Sequence, residues 1–114
     1  MENLILLEDY NLKELNLKNR MVMAPLTRTR SHNIELAPTD MNVEYYSQRA
    51  SAGLIISEGS PISPDATGYI DVPGIYSEIQ LAGWKRVTEA VHNKGGKMFA
   101  QLWHVGRISH PNLL

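Results

Sequence analysis

The most constraining feature of this chain is an asymmetry in its connections. Two segments that join a predicted helix to the following strand are about one to three residues long. Two that join a strand to the following helix are each about fifteen, against the usual two to six. Arg20–Ala24 reads as a buried strand ended by Pro25, and a polar stretch follows to Pro38. Thr39 or Asp40 caps a predicted helix to about Ala52, with Gly53 placed to stop it. Leu54–Ser57 is a continuous apolar run of the kind found in strands covered on both faces. The second long loop, Gly59–Tyr76, holds Pro61, Pro64 and Pro73 with Gly59, Gly68 and Gly74. Ser77 and Gln80 form a capping box, and Leu81, Trp84, Val87 and Val91 recur at helical spacing to Lys94. Gly95-Gly96 ends that helix and Lys97–Trp103 is a third strand. A hairpin is expected at the start, from Leu4–Leu7 and Leu12–Leu17 around Glu8–Asn11.

The order is therefore hairpin, β, α, β, α, β, an α/β pattern with parallel strands. Long loops gather at the C-terminal ends of the strands, where (β/α)8 barrels and open α/β sheets build their sites. An opening hairpin suits a plug under a barrel floor better than a doubly wound sheet. A whole barrel takes about 250 residues, so residues 1–114 read as an incomplete, N-terminal portion of one TIM barrel, the first three of its eight strands.

Composition removes several classes of function. With 11 Lys and Arg against 12 Asp and Glu, net charge is −1, which argues against a nucleic-acid surface. There are no cysteines, hence no disulfide framework, Cys-ligated zinc, Fe–S cluster or thiol nucleophile in this stretch; that fits a reducing, cytoplasmic setting. No apolar run is long enough to cross a membrane, and Met1–Leu7, with Glu2 and no basic residue, is not expected to be a signal peptide. His92, His104 and His110 do not follow a zinc-binding spacing, so no metal site is expected. Neither a GxGxxG nor a GK[ST] motif is present, and Thr27, Ser57 and Ser60 lack the His and acid that would make one of them a nucleophile. Trp84 reads as core. For Glu58 the expected role is an ion pair with Arg28 or Arg107, with a general base as the alternative.

Three polar groups close the three strands: Pro25-Leu26-Thr27-Arg28, Ser57-Glu58-Gly59-Ser60 and Gln101-Leu102-Trp103-His104. Together with Met23-Ala24, Ile62-Ser63-Pro64, Gly68-Tyr69, Pro73–Ser77 and Val105–His110, these runs resemble the Old Yellow Enzyme family, and within it the N-ethylmaleimide reductase and nitrate-ester reductase branch. The resemblance covers nearly the whole chain in order. It implies an FMN-binding (β/α)8 barrel, an ene-reductase that reduces activated C=C bonds of small enone-type substrates with hydride from NAD(P)H.

Carried over position by position, the resemblance implies that Pro25, Leu26 and Thr27 line the isoalloxazine, with the Thr27 hydroxyl on the flavin C4 carbonyl. It implies the Gly59 N–H on the same polar edge, where relatives often carry Ala, and Gln101 paired with the pyrimidine ring. Tyr69 and Trp103 would wall the substrate cavity. The family's carbonyl-binding pair, proton-donating Tyr and phosphate-binding Arg residues fall on later strands, so no catalytic residue is assigned in residues 1–114. The piece alone is expected to be inactive. Two alternatives stand beside the ene-reductase reading: a non-catalytic fragment that acts through assembly with the remaining barrel segment or through self-association, and part of a related flavin barrel such as a dienoyl-CoA reductase.

Overall fold

A computed structural model describes residues 4–114; the expectation about a leader at Met1–Leu7 lies partly outside the described residues. The first element is a short antiparallel pair, β1 (Tyr10–Leu12) and β2 (Leu15–Leu17). It turns at Lys13-Glu14, with Lys13 at φ 55. The expected partner Leu4–Leu7 is not a strand: Ile5–Leu7 is one 3-10 turn with no buried residue. Its leucines mimic an apolar strand in sequence but have no surface to cover.

Three parallel strands follow in the order β3-β4-β5. They are β3 (Val22–Met23), β4 (Leu54–Pro61) and β5 (Met98–Trp103), with Met23, Ile55 and Met98 in register. Two helices pack on the sheet and on each other, α1 (Asp40–Ser47) and α2 (Glu78–Asn93). Ile55, Tyr46, Ala50, Trp84, Val87 and Val91 make the core between them.

Each helix begins where its cap dictates. Asn42 Oδ1 accepts from the Thr39 N–H at 2.8 Å and from the Thr39 hydroxyl at 2.9 Å. Ser77 Oγ accepts from the Gln80 N–H at 3.2 Å, while Gln80 Oε1 accepts from the Ser77 N–H at 3.1 Å. The buried face of α2 is Gln80, Gly83, Trp84, Val87 and Val91. Leu81, expected on that face, is half exposed; one position round the helix, it looks away from the sheet while the capping Gln80 is drawn in. Helix α1 is shorter than expected. After Ser47 the chain tightens into i→i+3 bonds, Ala50 N–H to Ser47 and Ala52 N–H to Arg49. Gly53 is no helix stop: its backbone passes so close to Asn19 that a Cβ there would lie 2.1 Å from the Asn19 carbonyl oxygen. Gly95, at φ 79, is the left-handed residue after α2.

The hairpin closes the N-terminal end of the sheet. Lys18 Nζ donates to the carbonyls of Ala50 (2.7 Å) and Gly95 (3.3 Å), both in helix-to-strand connections, and Lys97 Nζ donates to Asn16 O. Tyr10, Leu12, Leu17 and Arg20 line an open cleft of about 330 Å³ against Val22 and Leu54, which begin β3 and β4. The opposite end of the sheet is left to the two long loops. Among the described residues no helix is long and apolar enough to cross a membrane, and no three His, Asp or Glu side chains cluster as a metal site.

Candidate functional site

Pro25 has no N–H to continue the ladder, so β3 stops at Met23 and the chain runs on beside β4 without strand pairing. Arg28 ties it there, its main-chain N–H donating to Glu58 Oε1 at 3.4 Å. The run just before it, Pro25-Leu26-Thr27, is thereby set at the C-terminal rim, with Leu26 and Thr27 exposed.

β4 is twice as long as its apolar run predicts. It continues through Ser57-Glu58-Gly59-Ser60 to Pro61, and all five are buried. Polar residues inside a buried strand need partners, and each has one. The Tyr46 hydroxyl donates to Glu58 Oε2 at 2.8 Å and accepts from the Glu58 N–H at 2.9 Å. Ser57 Oγ donates to the Glu58 carbonyl at 2.9 Å and accepts from the Gln101 N–H at 3.1 Å; Ser60 Oγ donates to the same carbonyl at 3.2 Å. Burial raises the Glu58 carboxyl above the ordinary carboxylate range, and the bonds from Tyr46 and Arg28 pull it part of the way back. Burial and the neighbouring carboxylate both push the Tyr46 hydroxyl up, so it stays protonated.

The expected ion pair of Glu58 with Arg28 or Arg107 is not what the fold makes. The Arg28 guanidinium lies 4.5 Å from the centre of the Tyr45 ring and donates to the Tyr45 hydroxyl at 3.1 Å, and Arg49 lies 4.0 Å from the same ring. Arg107 is exposed. Tyr46 is the residue that sequence reasoning missed. The signal was present, since a Glu inside an otherwise apolar strand requires a buried donor and Tyr45-Tyr46 sits on the adjoining helix.

On the other side of β4, Gly59 is directly paired with Gln101. Gln101 donates its main-chain N–H to Ser57 Oγ, and the residue is exposed at the rim. The indole of Trp103 lies across Gly59, so that a Cβ at residue 59 would fall 2.3 Å from its Cε3. Tyr69, from the loop after β4, stacks on Trp103 with ring centres 5.7 Å apart and planes 21° apart. The Trp103 indole N–H is buried without a partner among the described residues. The Ile62 N–H donates to the Trp103 carbonyl at 3.3 Å, and His104 faces Asp65 at 3.6 Å, so the loop that carries Tyr69 is tied to the end of β5.

One rim therefore carries a hydroxyl (Thr27), a carboxamide (Gln101), a glycine strand residue (Gly59) and a stacked aromatic pair (Tyr69, Trp103). The set offers donors, an acceptor and a flat wall, which is binding chemistry for the polar edge of a planar ring. It includes no nucleophile paired with a base.

Comparison with known proteins gives consistent matches. The NADH:flavin oxidoreductase / NADH oxidase family matches residues 6–113. Flavin oxidoreductase hxnT of Emericella nidulans is 54% identical over 102 residues, 86% of this chain and 26% of the relative. Putative 12-oxophytodienoate reductase 2 of Oryza sativa is 49% identical over 109 residues, 95% of this chain and 28% of the relative. Among solved structures, morphinone reductase in complex with tetrahydroNAD superposes with a TM-score of 0.90 at 52% identity, over 98% of this chain and 31% of that one. The old yellow enzyme homologue of Zymomonas mobilis gives 0.90 at 47% identity, over 95% and 30%. The chain thus spans 26–28% of the length of these curated relatives, and its hairpin, three parallel strands and two helices are a segment of their (β/α)8 barrel.

Proposed function

The chain belongs to the NADH:flavin oxidoreductase / NADH oxidase family, and on that premise we propose that it forms the first three strands of an FMN-dependent ene-reductase barrel and supplies one wall of its flavin site. The observation that carries the reading is the joint placement of three segments: Gly59 is in register with Gln101, and Arg28 N–H on Glu58 brings Pro25-Leu26-Thr27 to the same rim. The residues fit the group. A carboxamide at Gln101 has a donor and an acceptor for the pyrimidine edge, and the Thr27 hydroxyl has a proton to donate to the C4 carbonyl. Pro25 and Leu26 are apolar neighbours for the ring, and Gly59 lets its main chain approach the same edge.

Bound FMN would supply the hydride chemistry, taking hydride from NAD(P)H and delivering it to an activated C=C bond of a small enone. The chain's own part is to bind and orient. Gln101 and Thr27 fix the polar edge, and the Thr27 hydrogen bond favours the electron-rich, reduced state. Tyr69 and Trp103 exclude water above the ring and present a flat apolar face to the substrate. No proton donor is assigned to the described residues. Residues 1–114 are one incomplete portion of the domain, inactive until the remaining strands are supplied, in a cytoplasmic setting that fits a chain without cysteine.

The test is co-expression with a segment that supplies the remaining strands. The expected result is a yellow complex that oxidises NAD(P)H when an enone is added. A folded but colourless complex with no affinity for FMN overturns the reading. A stable complex that binds no FMN would favour the second reading, a non-catalytic assembly partner, which the exposed apolar residues of β5 support.

A further inference from the structure

The ladder between β4 and β5 contains an irregularity that places the site. Ile56 pairs with Phe99, and the next pair is Gly59 with Gln101. β4 therefore spends Ser57 and Glu58 where β5 spends only Ala100, a β-bulge. Without it, pairing continued from Ile56 and Phe99 would bring Glu58 opposite Gln101. The extra residue instead brings Gly59 to that position, beneath Trp103, and frees the Glu58 carboxylate to meet Tyr46 and Arg28.

We propose that Ser57 and Glu58 are positioning residues, a buried relay at the bulge that locks the Thr27 run, Gly59 and Gln101 into one frame for the flavin edge. The relay is continuous. The Arg28 N–H donates to the Glu58 carboxylate, the Ser57 hydroxyl donates to the Glu58 carbonyl, and the Gln101 N–H donates to the Ser57 hydroxyl. Tyr46 anchors it from α1 with two hydrogen bonds, one to the side chain and one from the main chain of Glu58. Ser57, Glu58 and Ser60 are fully buried and Tyr46 is 1% exposed, so water offers no substitute partner and each link is strengthened by the low local dielectric. The Gln101 N–H lies within hydrogen-bond reach of the Ser57 hydroxyl, a side-chain acceptor inside the ladder, which is why Ser57 bears on the rim.

The connection to flavin rests on the family reading above, so the experiment separates the two. Amide hydrogen exchange is measured at Arg28 and Gln101 in the assembled protein without FMN, and FMN affinity is measured by fluorescence titration. Ser57→Ala is expected to speed exchange at Gln101 about tenfold, and Glu58→Ala at Arg28 by a similar factor, each losing one buried bond. Both are expected to weaken FMN binding by about tenfold. Glu58→Gln retains an acceptor for the Arg28 N–H, and it is expected to recover exchange and affinity to within about threefold of wild type. Should Glu58→Ala fail to fold, Ser57→Ala and Glu58→Gln carry the test. Unchanged exchange at both amides overturns the relay. Faster exchange with unaltered FMN affinity overturns its positioning role. A wild-type assembly with protected Arg28 and Gln101 amides that takes up no FMN refutes the flavin reading, and the flavin role of the relay with it.

Discussion

By itself, the 114-residue chain is expected to self-associate through β5. That strand is open on both faces along its middle: Phe99 is 48% exposed on one side and Leu102 61% on the other, while its neighbour β4 is buried along nearly its whole length. The size of the uncovered surface follows from the molecule's dimensions. A folded monomer of 12.8 kDa exposes about 6,300 Å²; this chain exposes 7486 Å², an excess of about 1,200 Å². Its radius of gyration is 15.6 Å, against about 13 Å for a compact domain of this length. A stable interface takes about 800 Å² from each partner, so the excess is enough to form one. An open strand edge supplies the hydrogen bonds that direct it. The perturbation is Leu102→Lys, which would bury an ammonium without a partner in any β5-to-β5 contact and is expected to raise the association midpoint at least about tenfold, or about 1.4 kcal/mol. Size-exclusion chromatography with light scattering at low micromolar concentration reads both effects. A monodisperse 12.8 kDa wild-type monomer, or a Leu102→Lys chain that associates at the wild-type concentration, would refute the reasoning.

In the assembled protein, Gln101→Ala removes the carboxamide from the rim and is expected to weaken FMN binding by about 1–3 kcal/mol; fluorescence titration showing unchanged affinity would take Gln101 out of the site. Thr27→Ala removes the donor proposed for the C4 carbonyl and is expected to make bound flavin harder to reduce, which a potentiometric titration checks against the wild-type midpoint. Glu58 gives a pH dependence of defined sign. Its carboxyl is raised in the folded protein, so between the ordinary value near 4.5 and the raised one the folded state binds more protons than the unfolded. Stability should therefore fall as pH rises through that window. The charged or titratable groups facing the carboxyl are Tyr46 from α1 and Arg28 from the loop after β3; Tyr46, pushed up by burial and by Glu58, stays protonated throughout. Thermal melts across this range should show that Glu58→Gln flattens the fall, and an equal slope in both proteins would assign it elsewhere.

The order of elements is legible in the sequence because it depends on local chemistry. Ser77 with Gln80, Thr39 before α1, Pro25 after β3 and Gly95 after α2 act on bonds within a few residues. What sequence reasoning misplaced depends on distant partners. Leu4–Leu7 looks like a strand until the fold provides no surface for it, whereas Leu17, three residues beyond the turn, is buried. β4 looks like a four-residue strand, Leu54–Ser57, because Glu58, Gly59 and Ser60 break the run. The polar residues remain in the strand because Tyr46, 12 residues before Glu58, satisfies Glu58, Gln101, 44 residues after Ser57, pairs with Ser57, and Ser60 bonds the Glu58 carbonyl.

The same distinction governs the site. The three strand-end runs announced a common rim, since parallel strands bring their C-terminal ends together, and the family resemblance supplied the chemistry expected there. Neither could show how the rim is held. A glycine at residue 59 reads in sequence as the start of a loop. In the fold it is a mid-strand residue whose missing side chain is the space the Trp103 indole occupies, with Cε3, Cδ2 and Cζ3 all within 2.7 Å of where a Cβ would stand. An alanine at residue 59 would push the Trp103 indole away from the strand. The position of the Trp103 indole is set by the absence of a side chain at Gly59, and the bulge at Ser57-Glu58 decides which residue of β4 lies beneath it.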